Sequence, residues 1–139
     1  MNILTPFTRS SYEHVPLAFF ASSALASRTV AAEVGRLIRE RQREQRKVVL
    51  GLATGSTPIA FYAELVRLHR EEGLSFSNVV TFNLDEYYPL APEHAQSYRR
   101  FMQTHLFDHL DLPPDGTNVP SGSVSQAEVD AHCRAYEQR

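Results

Sequence analysis

Two short apolar segments, separated by a helix-like stretch, constrain the fold of this chain more than any other feature. Residues 48–52 (VVLGL) are apolar throughout, and residues 79–84 (VVTFNL) are nearly so. Continuous apolar runs of this length are typical of strands that are buried on both faces of a sheet. Between the two runs, apolar residues recur at helical spacing: Phe61, Leu65 and Leu68. Residues 48–84 therefore predict one βαβ unit with parallel strands and a right-handed crossover.

The turn after the first strand is a candidate binding loop, and it consists of Thr54, Gly55, Ser56 and Thr57. Pro58 suits the first position of the following helix, so Thr57 is its predicted N-cap, and Gly73 marks its predicted end. A small loop at a helix N-terminus presents free N–H groups, hydroxyls and the positive end of the helix dipole, which together favour a phosphate. An ordinary well-capped connection explains the same residues, and the Walker A and dinucleotide-binding patterns are absent.

Two carboxylates, Asp85 and Glu86, come directly after the second strand. Ligands of parallel sheets bind outside the carboxyl ends of the strands, so this pair and the loop at 54–57 are predicted to project from the same edge and could line one crevice. One carboxylate could act as a general base, especially if partial burial raises its pKa. Adjacent residues that leave a strand point in different directions, so a joint dyad is not predicted. The alternative is a polar strand end that meets solvent.

Three further helices and a short extended piece are predicted. Helical spacing covers residues 22–45 and 97–109, and Ser125 with Glu128 forms a capping box for a last helix. One side of that last helix is predicted to carry Val129, His132, Cys133 and Tyr136. Val119 is predicted to end a short extended piece. With 139 residues, the chain fits one α/β domain.

The composition is that of an ordinary globular protein and indicates no particular binding partner. The chain is 42% hydrophobic and 22% charged with a net charge of −2, values near those of an average globular protein. The arginine-rich end of the first helix, through Arg46 and Lys47, is interpreted as a solvated face, so no nucleic-acid partner is predicted. An apolar segment at 15–27 superficially resembles a signal peptide, but acidic Glu13 precedes it, and no run is long enough to span a membrane. These features predict a soluble, cytoplasmic protein.

The histidines and the single cysteine predict no metal site. His105 and His109 have the spacing of metal ligands on a helix, but the accompanying Glu of the zinc-protease motif is absent, so a core or boundary role is predicted. His94, in the loop after the acidic pair, is a candidate for the edge of a site. Like Glu86, it could contact the base rather than the substrate. Cys133 cannot form an internal disulfide and is predicted to be a small buried residue rather than a nucleophile.

The ordered set of motifs resembles the N-terminal part of the glucosamine-6-phosphate deaminase/isomerase family. Residues 50–58 (LGLATGSTP) resemble the family's phosphosugar-binding loop, and residues 79–87 (VVTFNLDEY) resemble its catalytic strand end. Further similarity runs through residues 94–98, 101–102, 107–109 and 130–137, so that the resemblance covers nearly everything from residue 45 onward.

The resemblance implies a doubly wound, mostly parallel sheet flanked by helices, in a three-layer αβα arrangement similar to the Rossmann fold. It implies conversion of glucosamine 6-phosphate and water into fructose 6-phosphate and ammonia, without a metal or an organic cofactor. Asp85 is then the base that takes the proton from C2 of the opened sugar and returns it at C1, and residues 54–57 help to hold the phosphosugar. The complete protein is expected to be a homo-oligomer.

Three departures keep alternatives open. Ala53 and Ser56 replace a proline and a glycine that are common in the family, and the related 6-phosphogluconolactonases share the Gly-Ser-Thr-Pro spelling. Tyr87 favours the deaminase, because the lactonases typically carry arginine there; the lactonase is the second enzyme to consider. The family's ring-opening histidine and later phosphate-binding residues have no counterpart here. We therefore expect residues 1–139 to be a single domain, the N-terminal portion of a longer single-domain or fused protein, or else a non-catalytic sugar-phosphate-binding module.

Overall fold

A parallel sheet of three strands lies at the centre of the computed structural model, which describes residues 18–139. The strands are adjacent in the order in which they occur in the chain: β1 (Val48–Leu52), β2 (Val79–Asn83) and β3 (Thr117–Asn118). Val48 lies opposite Val79, and Leu52 lies opposite Asn83, so β1 and β2 end level with each other. The helices are α1 (Ser23–Arg43), α2 (Ile59–Glu72), α3 (Tyr98–His105) and α4 (Val129–Glu137). The parallel sheet with flanking helices confirms the predicted α/β class and the βαβ unit.

Helix α1 begins where the sequence predicts a helix. The Ser22 hydroxyl accepts a 3.2 Å hydrogen bond from the Leu25 N–H and so satisfies one of the free donors at the N-terminus. Ala31, Gly35 and Ile38 form its buried stripe. Gly35 allows close packing, since a Cβ there would lie 3.3 Å from the Leu74 side chain. Residues 15–17 of the apolar segment considered above lie outside the described residues, and from Ser23 onward that segment is helical.

The predicted start of α2 was wrong by one residue. Pro58 itself is the N-cap, and within the described structure α2 has no side-chain cap, so Thr57 does not cap it. The physical reason is a turn before the helix: the Ile59 N–H donates to the Ser56 carbonyl at 3.4 Å, and the Pro58 carbonyl accepts from the Tyr62 N–H at 2.9 Å. The predicted end is confirmed, because Gly73 terminates α2 with a φ of 66°.

Three other elements differ from the sequence predictions in detail. The second strand ends at Asn83, and Leu84 is 90% exposed. The helix predicted over 97–109 breaks at Leu106, where φ is −145°, and continues as a short 3₁₀ turn. Cys133 is exposed rather than buried, because α4 has no buried residue. The capping box of Ser125 and Glu128 before α4 is confirmed.

One face of the sheet is packed against helices and the other is largely open in the part of the chain described. The core joins α1, α2 and α3 to alternate strand residues, and it includes Ile38, Val48, Leu52, Tyr62, Leu65, Leu68, Val79 and Met102. On the opposite face Val49 is 65% exposed. Phe82 on that face meets only the edge of Tyr136 from α4, with ring centroids 6.0 Å apart.

Candidate functional site

The loop after β1 opens onto solvent at the N-terminus of α2. Thr54 is half-buried, whereas Gly55, Ser56 and Thr57 are exposed. Gly55 has a φ of 94°, which side chains rarely tolerate, and the space beside its Cα is open. Among the described residues no side-chain oxygen caps α2, and of its first N–H groups that of Ile59 donates to the Ser56 carbonyl. The local geometry is compatible with a phosphate, and binding by this loop stays a prediction.

Tyr62 supports this loop from below. Its hydroxyl donates a short hydrogen bond to the carbonyl of Ala53, the residue between β1 and Thr54. The ring is almost fully buried, and burial raises the pKa of Tyr62 to about 12 despite that hydrogen bond. The loop thus begins at a fixed point. The sequence stripe at 61, 65 and 68 did not single out Tyr62, although one helical turn separates it from position 65.

Asn83 couples the ends of the two strands from which the site projects. Its side-chain amide donates to the Leu52 carbonyl at 2.8 Å, and its own carbonyl accepts from the Tyr136 hydroxyl at 2.7 Å. The residue is only 2% exposed, and its Oδ1 has no hydrogen-bond partner in the described part of the chain. Sequence reasoning missed Asn83, although a polar residue inside an apolar run was a signal.

Asp85 is exposed and is separated from the end of β2 by Leu84, so the partial burial considered from the sequence is not found. It lines a cavity of about 230 Å³ between the end of β2 and α4. The other polar residues of that cavity include Tyr88, Ser121, His132 and Glu137. His132 is oriented by the Ser121 N–H, which donates to its Nε2 at 3.0 Å. A solvent-accessible carboxylate in this position is free to accept a proton from a ligand.

Glu86 lines the same cavity as Asp85, but its carboxylate has a structural role. Its carboxylate accepts from the backbone N–H groups of Tyr98 at 2.8 Å and Arg99 at 2.9 Å, and from the Ser97 hydroxyl at 2.7 Å. It also accepts from the Tyr87 N–H at 2.9 Å. Burial acts to raise the pKa of Glu86, but these hydrogen bonds outweigh burial and lower it. Glu86 therefore anchors the N-terminus of α3 to the segment after β2, and no dyad with Asp85 forms.

Tyr87 and Tyr98 form an aromatic pair that the sequence did not predict. Their ring centroids lie 4.8 Å apart, and the Tyr98 hydroxyl donates to the Tyr87 hydroxyl at 3.3 Å. That hydrogen bond is the main cause of a raised pKa for Tyr98; the Thr54 side chain acts in the opposite direction, and the charge of Asp85 adds to the increase. The Tyr98 hydroxyl is thus within the influence of both the loop and the candidate base. The sequence did not indicate this contact, because Tyr87 lies in a loop and Tyr98 in α3, and no periodic pattern links the two.

The structure brings the predicted site residues together only in part. Gly55 lines a cavity with Tyr87 and Tyr98, whereas Asp85 lines the cavity at α4. The two cavities have no lining residue in common, and the tyrosine pair lines the one beside Gly55. His94 is exposed, accepts from the Gln96 N–H at 3.1 Å, and is not among the residues lining either cavity.

His105 and His109 have local contacts that suit their predicted boundary role. The His105 ring lies 4.5 Å from that of Phe101, and His109 contacts the Thr104 carbonyl at 2.9 Å and Arg70 at 3.0 Å. Within residues 18–139 no three His, Cys, Asp or Glu side chains are grouped as metal ligands would be. Nor does any helix in that range have the length and apolar character needed to cross a membrane.

The fold defines an α/β protein whose candidate site residues lie at the carboxyl ends of parallel strands. Residues 21–139 match the family described as glucosamine-6-phosphate isomerases/6-phosphogluconolactonase, and the chain belongs to that family. It is 51% identical over 108 residues to glucosamine-6-phosphate deaminase 1 of Giardia intestinalis, a match that covers 78% of this chain and 40% of the relative. It is 50% identical over 97 residues to the glucosamine-6-phosphate deaminase of Hahella chejuensis, covering 70% of this chain and 36% of that one.

Solved structures show the same fold. A monomeric glucosamine-6-phosphate deaminase superposes with a TM-score of 0.76 at 38% identity, covering 84% of this chain and 46% of that one. The 6-phosphogluconolactonase of Trypanosoma brucei superposes with a TM-score of 0.66 at 20% identity over 96% of this chain and 50% of that one, a likeness of fold alone. The chain spans about 40% of the length of the curated relatives it matches.

Proposed function

We propose that the complete protein is a glucosamine-6-phosphate deaminase, which converts glucosamine 6-phosphate and water into fructose 6-phosphate and ammonia. One observation carries the proposal: the exposed carboxylate of Asp85 follows β2 at the same edge of the sheet as the loop Thr54–Thr57 after β1. Asn83 fixes the spacing between these two strand ends. The relatives named glucosamine-6-phosphate deaminase at about half identity support the choice of reaction.

The proposed chemistry uses Asp85 as a general base that serves two neighbouring carbons. In the ring-opened sugar the carboxylate removes the proton from C2, the electron pair of that bond forms a C1–C2 double bond, and the C1 oxygen takes a proton from the C2 ammonium group, so that a neutral enolamine forms. The same carboxyl group then returns the proton to C1. The product is a ketose with a protonated imine at C2, which water hydrolyses to fructose 6-phosphate and ammonia. Base catalysis of this kind typically contributes about a hundred- to ten-thousandfold in rate.

The loop and α2 supply the phosphate contact in this proposal. The N–H groups at the start of α2, the hydroxyls of Ser56 and Thr57 and the helix dipole favour the dianionic end of the substrate. No cofactor has a role in the proposed steps. The family's ring-opening histidine has no counterpart in residues 1–139, so ring opening is assigned to the rest of the complete protein.

A side-by-side assay tests the proposal against the lactonase alternative and against a non-catalytic module. The complete protein is expected to release ammonia from glucosamine 6-phosphate and to hydrolyse 6-phosphogluconolactone much more slowly, since Tyr87 stands where the lactonases typically carry arginine. Faster hydrolysis of the lactone would transfer the assignment to the lactonase. Binding of glucosamine 6-phosphate without turnover of either compound would support the module.

The expectations about cellular location and assembly belong to the same proposal. We infer a cytoplasmic homo-oligomer without a nucleic-acid partner, on the basis of the phosphosugar chemistry and the family resemblance. The structurally similar deaminase is described as monomeric. Native mass spectrometry of the complete protein therefore decides the assembly, and a monomeric mass would contradict the inference.

A further inference from the structure

We propose that the cavity between Gly55 and the Tyr87–Tyr98 pair is the subsite for the uncharged carbon chain of the phosphosugar, with the two phenol hydroxyls as its recognition groups. The choice of a phosphosugar as ligand rests on the proposed function. The assignment of this cavity to the neutral part of that ligand rests on the geometry alone.

The cavity has the size and the lining of a site for a small polar molecule. Its volume is about 520 Å³, and its lining includes Gly55, Tyr87, Leu90, Gln96, Tyr98 and Phe101. All of the residues that line it are uncharged. A phosphate would find no cationic partner among them, whereas hydroxyl groups would find donors, acceptors and aromatic surface.

The tyrosine pair is held in place before any ligand arrives. Glu86 accepts from the backbone N–H groups of both tyrosines, at 2.9 Å for Tyr87 and 2.8 Å for Tyr98. The hydroxyl-to-hydroxyl contact of 3.3 Å then aligns the two side chains. Tyr87 nevertheless remains 54% exposed. Tyr98 is half-buried, so the pair is held by its backbone and its hydroxyls while one ring stays open to solvent. This arrangement suits a ligand rather than the core, and preorganisation of this kind lowers the cost of binding.

The neighbours of the pair give the ligand a direction. Gly55 lines the cavity on the side of the loop, and Tyr87 follows Asp85 by two residues in the segment after β2. A phosphosugar whose phosphate rests at the start of α2 would place its hydroxyl-bearing carbons along the tyrosines and its reacting carbons toward Asp85. Because the Tyr98 O–H donates to the Tyr87 oxygen, the Tyr87 O–H is left to donate to a sugar hydroxyl, and the Tyr98 oxygen is left to accept from one.

Binding measurements on the complete protein test the subsite. The two probes are inorganic phosphate and fructose 6-phosphate, the latter without ammonia so that no reaction proceeds, and isothermal titration calorimetry measures both affinities. Tyr98→Phe and Tyr87→Phe keep the rings and remove one hydroxyl each. Each is expected to weaken the binding of fructose 6-phosphate by roughly three- to tenfold, the effect of one neutral hydrogen bond. The affinity for inorganic phosphate is expected not to change.

Two controls separate recognition from folding. Arg100→Gln changes an exposed residue of the same helix and should leave both affinities unchanged. The double variant Tyr87→Phe/Tyr98→Phe should lose less than the product of the single effects, because the two hydroxyls share one hydrogen bond. If the tyrosines had a purely structural role, the variants would instead lose affinity for both probes.

The outcomes distinguish this inference from the proposed reaction. Equal loss of affinity for both probes in the tyrosine variants, or no loss for either, overturns the subsite. Tyrosine-dependent binding of fructose 6-phosphate in a protein that releases no ammonia overturns the reaction and supports the subsite. Ammonia release with tyrosine-independent binding overturns the subsite alone, and a wild-type protein that binds neither probe overturns both.

Discussion

The side-chain amide of Asn83 donates a 2.8 Å hydrogen bond to the Leu52 carbonyl, and this contact links the carboxyl ends of β2 and β1. The loop Thr54–Thr57 and Asp85 begin within a few residues of these two partners. The distance between the candidate phosphate loop and the candidate base is thus set by a buried contact below the site. Substitutions that remove this contact should lower both the free energy of unfolding and kcat.

Asn83→Leu in the complete protein is expected to lower stability by about 1–3 kcal/mol, because the Leu52 carbonyl loses its buried partner. It should also lower kcat, since the loop and Asp85 are no longer held at a fixed spacing. Urea unfolding and steady-state kinetics measure the two effects. Asn118→Leu is the matched control: the Asn118 amide donates to the Thr81 carbonyl at 3.0 Å, away from Asp85. The control should lose stability alone, and an equal kcat loss in both variants would contradict the positioning role of Asn83.

Asp85→Asn is expected to lower kcat of the complete protein by about a hundred- to ten-thousandfold, with little change in thermal stability. The amide keeps the shape of an exposed side chain but cannot accept the C2 proton. In deuterated water the wild-type protein should place solvent deuterium in the product, and the variant should not. Near-wild-type turnover by Asp85→Asn would show that another group is the base.

Glu86→Gln is expected to lower the melting temperature, in contrast to Asp85→Asn. An amide nitrogen cannot accept from the N–H groups at the start of α3, so one side of the carboxylate's hydrogen bonding is lost. Retained stability in Glu86→Gln would contradict the anchoring role. A loss of kcat in this variant without any loss of stability would instead point to a direct part in the reaction.

Glu86 should also make stability depend on pH. Its pKa is lowered from the ordinary value of 4.5, so the folded state holds its proton less tightly than the unfolded state. The stabilisation is therefore fully present above pH 4.5 and is lost as the pH falls through the lowered pKa. Denaturant unfolding between neutral pH and pH 3 measures the slope. The slope should be shallower in Glu86→Gln than in the wild type, and equal slopes would exclude Glu86 as the source.

Gly55→Ala is expected to raise KM, because a φ of 94° is strained for any residue with a Cβ. The loop should relax to another conformation and lose its contact with the phosphate. Gly51→Ala is the matched control, since Gly51 lies in β1 with open space beside it and no positive φ. Steady-state kinetics on both variants test the difference. A KM unchanged by Gly55→Ala would show that the loop tolerates a side chain and does not bind through its backbone.

Residues 1–139 produced alone are expected to aggregate and to show no turnover, because one face of the sheet presents Val49 to solvent. Val49→Lys should reduce aggregation, measured by size-exclusion chromatography. It should also reduce the binding of a fluorescent dye that binds exposed apolar surface. Val30→Lys, at an exposed position of α1, is the control and should change neither. Equal benefit from both substitutions would assign the effect to net charge rather than to the open face. Ammonia release at rates typical of enzymes would contradict the expected lack of turnover.

The parts of the fold that the sequence predicted are those governed by local rules. Continuous apolar runs indicated β1 and β2, helical spacing indicated α1 and α2, and the common edge of parallel strands put Asp85 and the loop at the same end of the sheet. The missed features depend on contacts between residues distant in the chain. Glu86 could not be recognised as the anchor of α3 because its partners lie eleven to thirteen residues away. The burial of Cys133 was predicted wrongly. Helical spacing shows which residues share one face of α4, but it does not show whether another element packs against that face.

The two asparagines at the strand ends also bear on how the chain finds its pairing during folding. Asn83 and Asn118 each reach back to a carbonyl of the preceding strand, Leu52 and Thr81 respectively. A one-residue shift in the pairing of two strands turns every side chain to the opposite face of the sheet, so the buried face already favours one register. A slip of one residue at β2 would put Leu84 in the place of Asn83 and bury an unsatisfied carbonyl. The hydrogen bonds of the two asparagines therefore add to the free-energy cost of a misaligned sheet.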